Sequence, residues 1–101
     1  MSIYQTAHYE VNPHAVDKVK AAIVDFVEYV KANEPGTKVY AAWQNKGDPT
    51  KFVHLFEFAD EEAHRQHGES EAVHLFESVY RPELVDGPVV FTDYTMVASN
   101  T

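Results

Sequence analysis

Cysteine is absent from the 101 residues, which removes disulfides, thiolate metal sites and cysteine nucleophiles, and leaves no thiol from which to read a redox compartment. Positive charge is scarce: eight Lys and Arg stand against sixteen Asp and Glu, for a net charge of −8. Such a chain repels a phosphate backbone or an anionic bilayer, so neither nucleic acid nor membrane is expected as a partner. No apolar run approaches the ~20 residues that cross a bilayer. The N-terminal segment, Met1 to Glu10, lacks the basic end and apolar stretch of a secretory signal. A cytoplasmic location is the expectation that remains. Also missing are a phosphate-binding glycine loop, a dinucleotide fingerprint and a Ser-His-Asp order, as well as internal repeats and low-complexity runs.

What is present is enough apolar material to fold. Hydrophobic residues make up 45% of the chain, ordinary for a globular protein, and the length suits one domain over residues 1–101. Ile3 to Val11 alternates as a first strand, broken by Asn12-Pro13. From His14 to about Asn33, Val16, Val19, Ile23, Phe26, Val27 and Val30 recur at helical spacing opposite Asp17, Lys20, Asp25, Glu28 and Lys31. This predicts a long amphipathic helix with one buried stripe. Glu34-Pro35-Gly36-Thr37 turns the chain into a second strand, Val39 to Asn45. The Lys46 to Thr50 turn then makes a hairpin with a third strand. A helical pair from Asp60 to about Arg81 follows, with Val73, Phe76, Val79 and Tyr80 as its stripe. After Pro82, a loop from Glu83 to Pro88 leads to a last strand, Val89 to Ala98.

The order β-α-β-β-α-β predicts a ferredoxin-like α+β sandwich with an antiparallel sheet. Helices cover only one face of such a sheet, yet the strands are apolar on both: Phe52, Phe56 and Phe58 against Val53 and Leu55, then Val89 and Phe91 against Val90, Tyr94 and Met96. An uncovered apolar face on the order of several hundred Å2 is a liability in a monomer, so a homodimer built sheet against sheet is expected.

The stretch Phe52 to His74 is where chemistry is expected. One strand face reads Phe52, His54, Phe56, Phe58. Asp60 is placed to cap a helix, with Glu61 and Glu62 in its first turn. Ala63 and His67, four apart, share a helix face. Gly68 can end that helix and Ser70 can cap the next. Two readings of His67 stand. In one it is a core-edge imidazole bonded to a backbone carbonyl. In the other it is a general base or hydrogen-bond donor in an aromatic-lined cavity suited to a planar organic ligand. His54 is either a second polar group in that cavity or an interface residue, because alternation does not say which strand face is which. Trp43, Tyr40, Phe56 and Phe58 fit core or interface as well as ligand walls. Glu57, a mid-strand carboxylate between apolar neighbours, needs a partner if buried; Arg81 and Lys51 are the candidates.

Six histidines invite a metal reading. Zinc and non-haem iron sites need three or more ligands converging on one point. His64 and His67 share a helix, but Gly68 interrupts the geometry before His74, and no H-E-x-x-H or two-His-one-carboxylate spacing occurs. No metal is expected.

Glu57-x-x-Asp60-x-x-Ala63-x-x-x-His67-x-x-Ser70 resembles the signature of the antibiotic biosynthesis monooxygenase (ABM) domains, which include quinol monooxygenases. Glu34-Pro35-Gly36-Thr37, Asp48-Pro49-x-x-Phe52 and Pro13 match in order, so the resemblance covers nearly the whole chain. It implies a dimeric α/β-barrel of ferredoxin-like protomers. Its enzymes use O2 to oxygenate small aromatic substrates such as hydroquinones and anthrone-like phenols, often without metal or flavin, so no cofactor is expected. On that reading His67 is the base or substrate anchor, and His54, Phe56, Phe58, Trp43 and Phe76 form the substrate site. The other function the resemblance allows is a non-catalytic dimeric domain that binds an aromatic or quinone metabolite. The Asn, Trp and His set of the haem-degrading branch has no counterpart, because Trp43 lies on the second strand and Phe58 stands at the end of the third. The Pro-His pair some members carry after the conserved His is also absent.

Overall fold

The computed structural model describes all residues, Met1–Thr101. Strand β1 (Ile3–Val11) leads through a short 3-10 turn (Pro13–Ala15) into helix α1 (Val16–Asn33). The hairpin β2 (Thr37–Gln44) and β3 (Lys51–Phe58) follows, then helices α2 (Glu61–Glu69) and α3 (Glu71–Tyr80), a second 3-10 turn (Arg81–Glu83) and strand β4 (Leu84–Tyr94). All pairings are antiparallel and the sheet order is β2-β3-β1-β4. This is the ferredoxin-like arrangement expected from the order of elements. No helix is long and apolar enough to cross a membrane.

The apolar stripe of α1 supplies Val19, Ile23, Phe26 and Val30 to the core, which they share with Tyr9, Val11 and Phe52 from the sheet and Phe76 and Tyr80 from α3. A second cluster, Ala7, Phe56, Phe58 and Ala63, continues the core under α2. Register fixes the faces: Ala7 pairs with His54, Tyr9 with Phe52 and Gln5 with Phe56, and directly paired residues project to one side of a sheet. The helix-covered face is therefore the one bearing Phe52, His54, Phe56 and Phe58, each less than a tenth exposed.

Several boundaries differ from the sequence reading: β2 spans Thr37–Gln44 and not Val39 to Asn45, and β4 ends at Tyr94 and not Ala98. Helix α2 runs through Gly68 and stops at Ser70, whose side chain caps α3 by accepting from the Val73 N–H. Strand β4 begins at Leu84, not Val89, because the expected loop is absorbed as a bulge. His8 pairs with Val90 but Glu10 with Val85, so one residue of β1 faces four of β4. Asp86 (φ 58°) and Gly87 (φ 104°) take the left-handed conformations that this kink requires. Because of the bulge, Leu84 and Phe91 both face the helices although Pro88 lies between them.

Candidate functional site

Between the sheet and the helices lies a cavity of about 370 Å3, within the usual size range of small-molecule sites. Its walls come from every layer: Ala7 and Tyr9 on β1, Tyr40 on β2, His54 and Phe56 on β3, Phe26 on α1, His64 and His67 on α2, Phe76 and Tyr80 on α3, and Phe91 on β4. Two hydrogen-bonded groups bring buried polar atoms to it, and Gln5, Glu77 and Arg81 line it as well.

The first group is His67 with Glu34. Asp60 caps α2 by accepting from the Ala63 N–H at 2.8 Å. Ala63 then packs against Gly36 so closely that a Cβ on Gly36 would lie 2.6 Å from the Ala63 Cβ. One helical turn later, His67 reaches back over the Glu34–Thr37 turn, where its Nδ1–H donates to Glu34 Oε1 at 2.7 Å. Thr37 Oγ1 donates to the same oxygen at 2.9 Å, while Glu34 Oε2 is buried with no partner. Both side chains are nearly nine-tenths buried. With the carboxylate holding Nδ1–H, Nε2 has no partner in the protein and, in the neutral tautomer, carries the lone pair. The spacing Asp60, Ala63, His67 thus has a physical reading: cap, close contact, and an imidazole held by a carboxylate. A Gly36→Ala substitution should push α2 off the turn, cost about 1–3 kcal/mol, and break the Glu34–His67 bond. Chemical denaturation and the His67 ring resonances would report the two effects separately.

The second group is His54, 1% exposed, with both ring nitrogens occupied. Nε2 is 2.8 Å from the Tyr9 hydroxyl and Nδ1 is 2.8 Å from the Tyr40 hydroxyl. Burial lowers the His54 pKa to about 4 and raises the phenols of Tyr9 and Tyr40 well above their usual value, so the trio is neutral near pH 7. In the unfolded chain His54 titrates near 6.5 and in the folded one near 4. Between those values the unfolded state binds the extra proton, and stability falls as pH falls. The expected loss from pH 7 to pH 4 is about 3 kcal/mol from this residue. Urea titrations of wild type and His54→Asn across that range would show the slope, and its shrinkage in the variant.

Aromatic rings surround His67, with those of Phe58, Phe26, Tyr40 and Phe56 centred 5.1, 5.5, 5.5 and 6.1 Å away. Of the residues singled out in sequence, His67, His54, Phe56 and Phe76 line the cavity together. Phe58 does not reach it. It is wholly buried behind His64 and His67. Trp43 is on the other side of the sheet, paired with Val53 and 60% exposed, where it lines a more open trough with His8, Val53 and Val90. Strand alternation places it there: Tyr40 and Ala42 face the helices, so Trp43 cannot. Glu57 is on that outer face as well, partly buried and without a charged partner within the protomer; Arg81 pairs instead with Glu77 and Lys51 with Asp48. No three His, Asp or Glu side chains gather as a metal-binding group. Sequence reasoning missed Glu34 and Tyr9 as site residues. Glu34 was legible only as part of a turn, and Tyr9 meets His54 across 45 positions of chain.

The fold and the cavity define a class of small α+β domain with an aromatic-walled cavity between one face of an antiparallel sheet and its helices. The profile of the antibiotic biosynthesis monooxygenase family matches residues 2–78, and the chain belongs to that family. Its fold is similar to a candidate antibiotic biosynthesis monooxygenase from Bacteroides thetaiotaomicron (TM-score 0.89, 18% identity, 99% of this chain and 93% of that one). It is also similar to another from Caulobacter crescentus (TM-score 0.87, 25% identity, 96% and 91%). The Rv0793 protein of Mycobacterium tuberculosis is alike over the full length of both chains (TM-score 0.86, 15% identity). No curated protein matches the chain in sequence.

Proposed function

We propose that this protein is a monooxygenase that oxidises a small aromatic of the hydroquinone or anthrone-like phenol type with O2, without a cofactor of its own. The observation that carries this reading is His67: its Nδ1 is held by a buried carboxylate and its Nε2 is left free in an aromatic-walled cavity. For an anthrone-type substrate, Nε2 takes one proton from the activated CH2 group. Glu34 stabilises the imidazolium that results, as the carboxylate does in a catalytic triad. The substrate carbanion passes one electron to O2, and the superoxide and substrate radical combine to a peroxide anion that recovers the proton from His67. Removal of the second C–H proton with O–O cleavage gives a ketone and one water. The aromatic walls orient the planar substrate and exclude solvent.

Oxygen uptake with a panel of hydroquinones and anthrone-type phenols tests this reading, and uptake above the autoxidation blank, with the oxygenated product, is expected. Ligand capture without uptake would identify a binding domain instead.

The functional unit is a homodimer. The outer face leaves Val39, Trp43, Val90, Tyr94 and Met96 about half exposed, with Val53 and Leu55 between them, and a second copy covers that face. Dimers are common in this family. Sedimentation at micromolar concentration should give the mass of two chains, and Leu55→Asp should shift it to one. A stable wild-type monomer would refute the dimer and leave the cavity reading intact.

A further inference from the structure

The Tyr9–His54–Tyr40 group holds one more proton than its hydrogen bonds use. Each hydroxyl carries one proton, and the neutral imidazole carries one N–H and one lone pair. That makes three donors for two hydrogen bonds, both 2.8 Å long. The lone-pair nitrogen accepts from one tyrosine, and the ring N–H donates to the oxygen of the other. The second tyrosine must then point its own proton away from the ring, and neither hydroxyl has another partner in the protein. Both tyrosines line the cavity beside His67, whose ring centre is 5.5 Å from that of Tyr40. Swapping the imidazole tautomer moves the surplus proton from one tyrosine to the other but never removes it.

We propose that Tyr9, His54 and Tyr40 form one specificity-determining unit that donates its surplus hydroxyl proton to a carbonyl or phenolic oxygen of the ligand. The tyrosines touch the ligand. His54 is a positioning residue that forces one of them to face it. The ligand then lies with an acceptor oxygen toward the sheet and its acidic hydrogen toward His67 Nε2, which selects aromatic compounds bearing both. An aromatic with only apolar edges would leave the O–H unpaired and is rejected for that reason. The proposal rests on the cavity being the ligand site, as in the function above, but not on oxygenation.

The test uses two redox-inert probes under nitrogen. 6-Hydroxy-1-tetralone has a hydroxyl and a ketone on opposite sides of a fused ring, and 5,6,7,8-tetrahydro-2-naphthol lacks the ketone. Calorimetry should show the ketone binding wild type at least tenfold more tightly. Its carbonyl infrared band should move to lower frequency on binding. In Tyr9→Phe/Tyr40→Phe the two probes should bind alike and the band should stay where it is in apolar solvent. Equal binding of both probes to wild type, with an unshifted carbonyl band, would overturn the proposal while keeping the cavity as a site; a water molecule would then hold the surplus proton. Failure of both probes to bind wild type at millimolar concentration would overturn the cavity reading and the proposal with it. Both outcomes are read on wild type, so a variant that fails to fold leaves the test intact.

Discussion

His67→Ala is expected to lower the rate of substrate-dependent O2 uptake by about 100-fold or more, the usual scale for loss of a general base. The prediction follows from how the ring is held. Glu34 fixes which nitrogen is protonated, and α2 delivers the other nitrogen to the cavity, so alanine removes the proton acceptor and leaves its carboxylate behind. The companion substitution Glu34→Gln keeps the ring but weakens its hold on Nδ1–H. It should lower the rate less, by about tenfold, with the loss in kcat and not in KM. Uptake that survives His67→Ala unchanged would keep the enzyme and discard His67 as its base. Equal losses in kcat/KM from weaker binding alone would make His67 an anchor.

Phe58→Ala should cost about 3–5 kcal/mol of stability, the range for deleting a fully buried aromatic, while changing ligand affinity little in protein that remains folded. Phe58 is 0% exposed and its ring sits 5.8, 5.0 and 5.1 Å from those of Phe56, His64 and His67. It supports the floor beneath the site and is not part of its wall. Phe76→Ala is the contrast, because Phe76 lines the cavity and stacks on Phe26 at 5.1 Å. Its loss should weaken ligand binding as well as the fold. Urea denaturation paired with probe titration separates the two residues. Similar affinity losses in both variants would show that Phe58 shapes the cavity directly.

The fold was legible because periodicity is a local signal. The stripe Val16, Val19, Ile23, Phe26 and Val30 needs no partner to declare a helix, and Asp60 and Ser70 announce caps that the structure forms. The start of β4 was not legible: Asp86, Gly87 and Pro88 have turn chemistry, and only pairing with β1 turns them into a bulge. Trp43 shows a second limit. Both sheet faces are apolar, so alternation divides residues into two sets without naming the inner one; the helices decide that, and the decision puts Trp43 outside. The site itself is long-range. His67 was visible through its place one turn after Ala63. Its partner Glu34 is 33 positions away, and the Tyr9–His54–Tyr40 contacts span 45 and 14 positions. No window of sequence contains them.

The sheet order gives the cavity an uneven durability. Tyr9 and His54 sit on β1 and β3, the two central strands, whereas Tyr40 sits on β2, which has a neighbour on one side only. Edge strands open at lower free energy than central ones. Each brief detachment of β2 carries Tyr40 away while Tyr9 and His54 stay bonded. Assembly of the complete polar wall is therefore governed by an edge strand of the sheet, and a ligand that engages Tyr40 would slow the hydrogen exchange of the β2 amides more than that of the central strands.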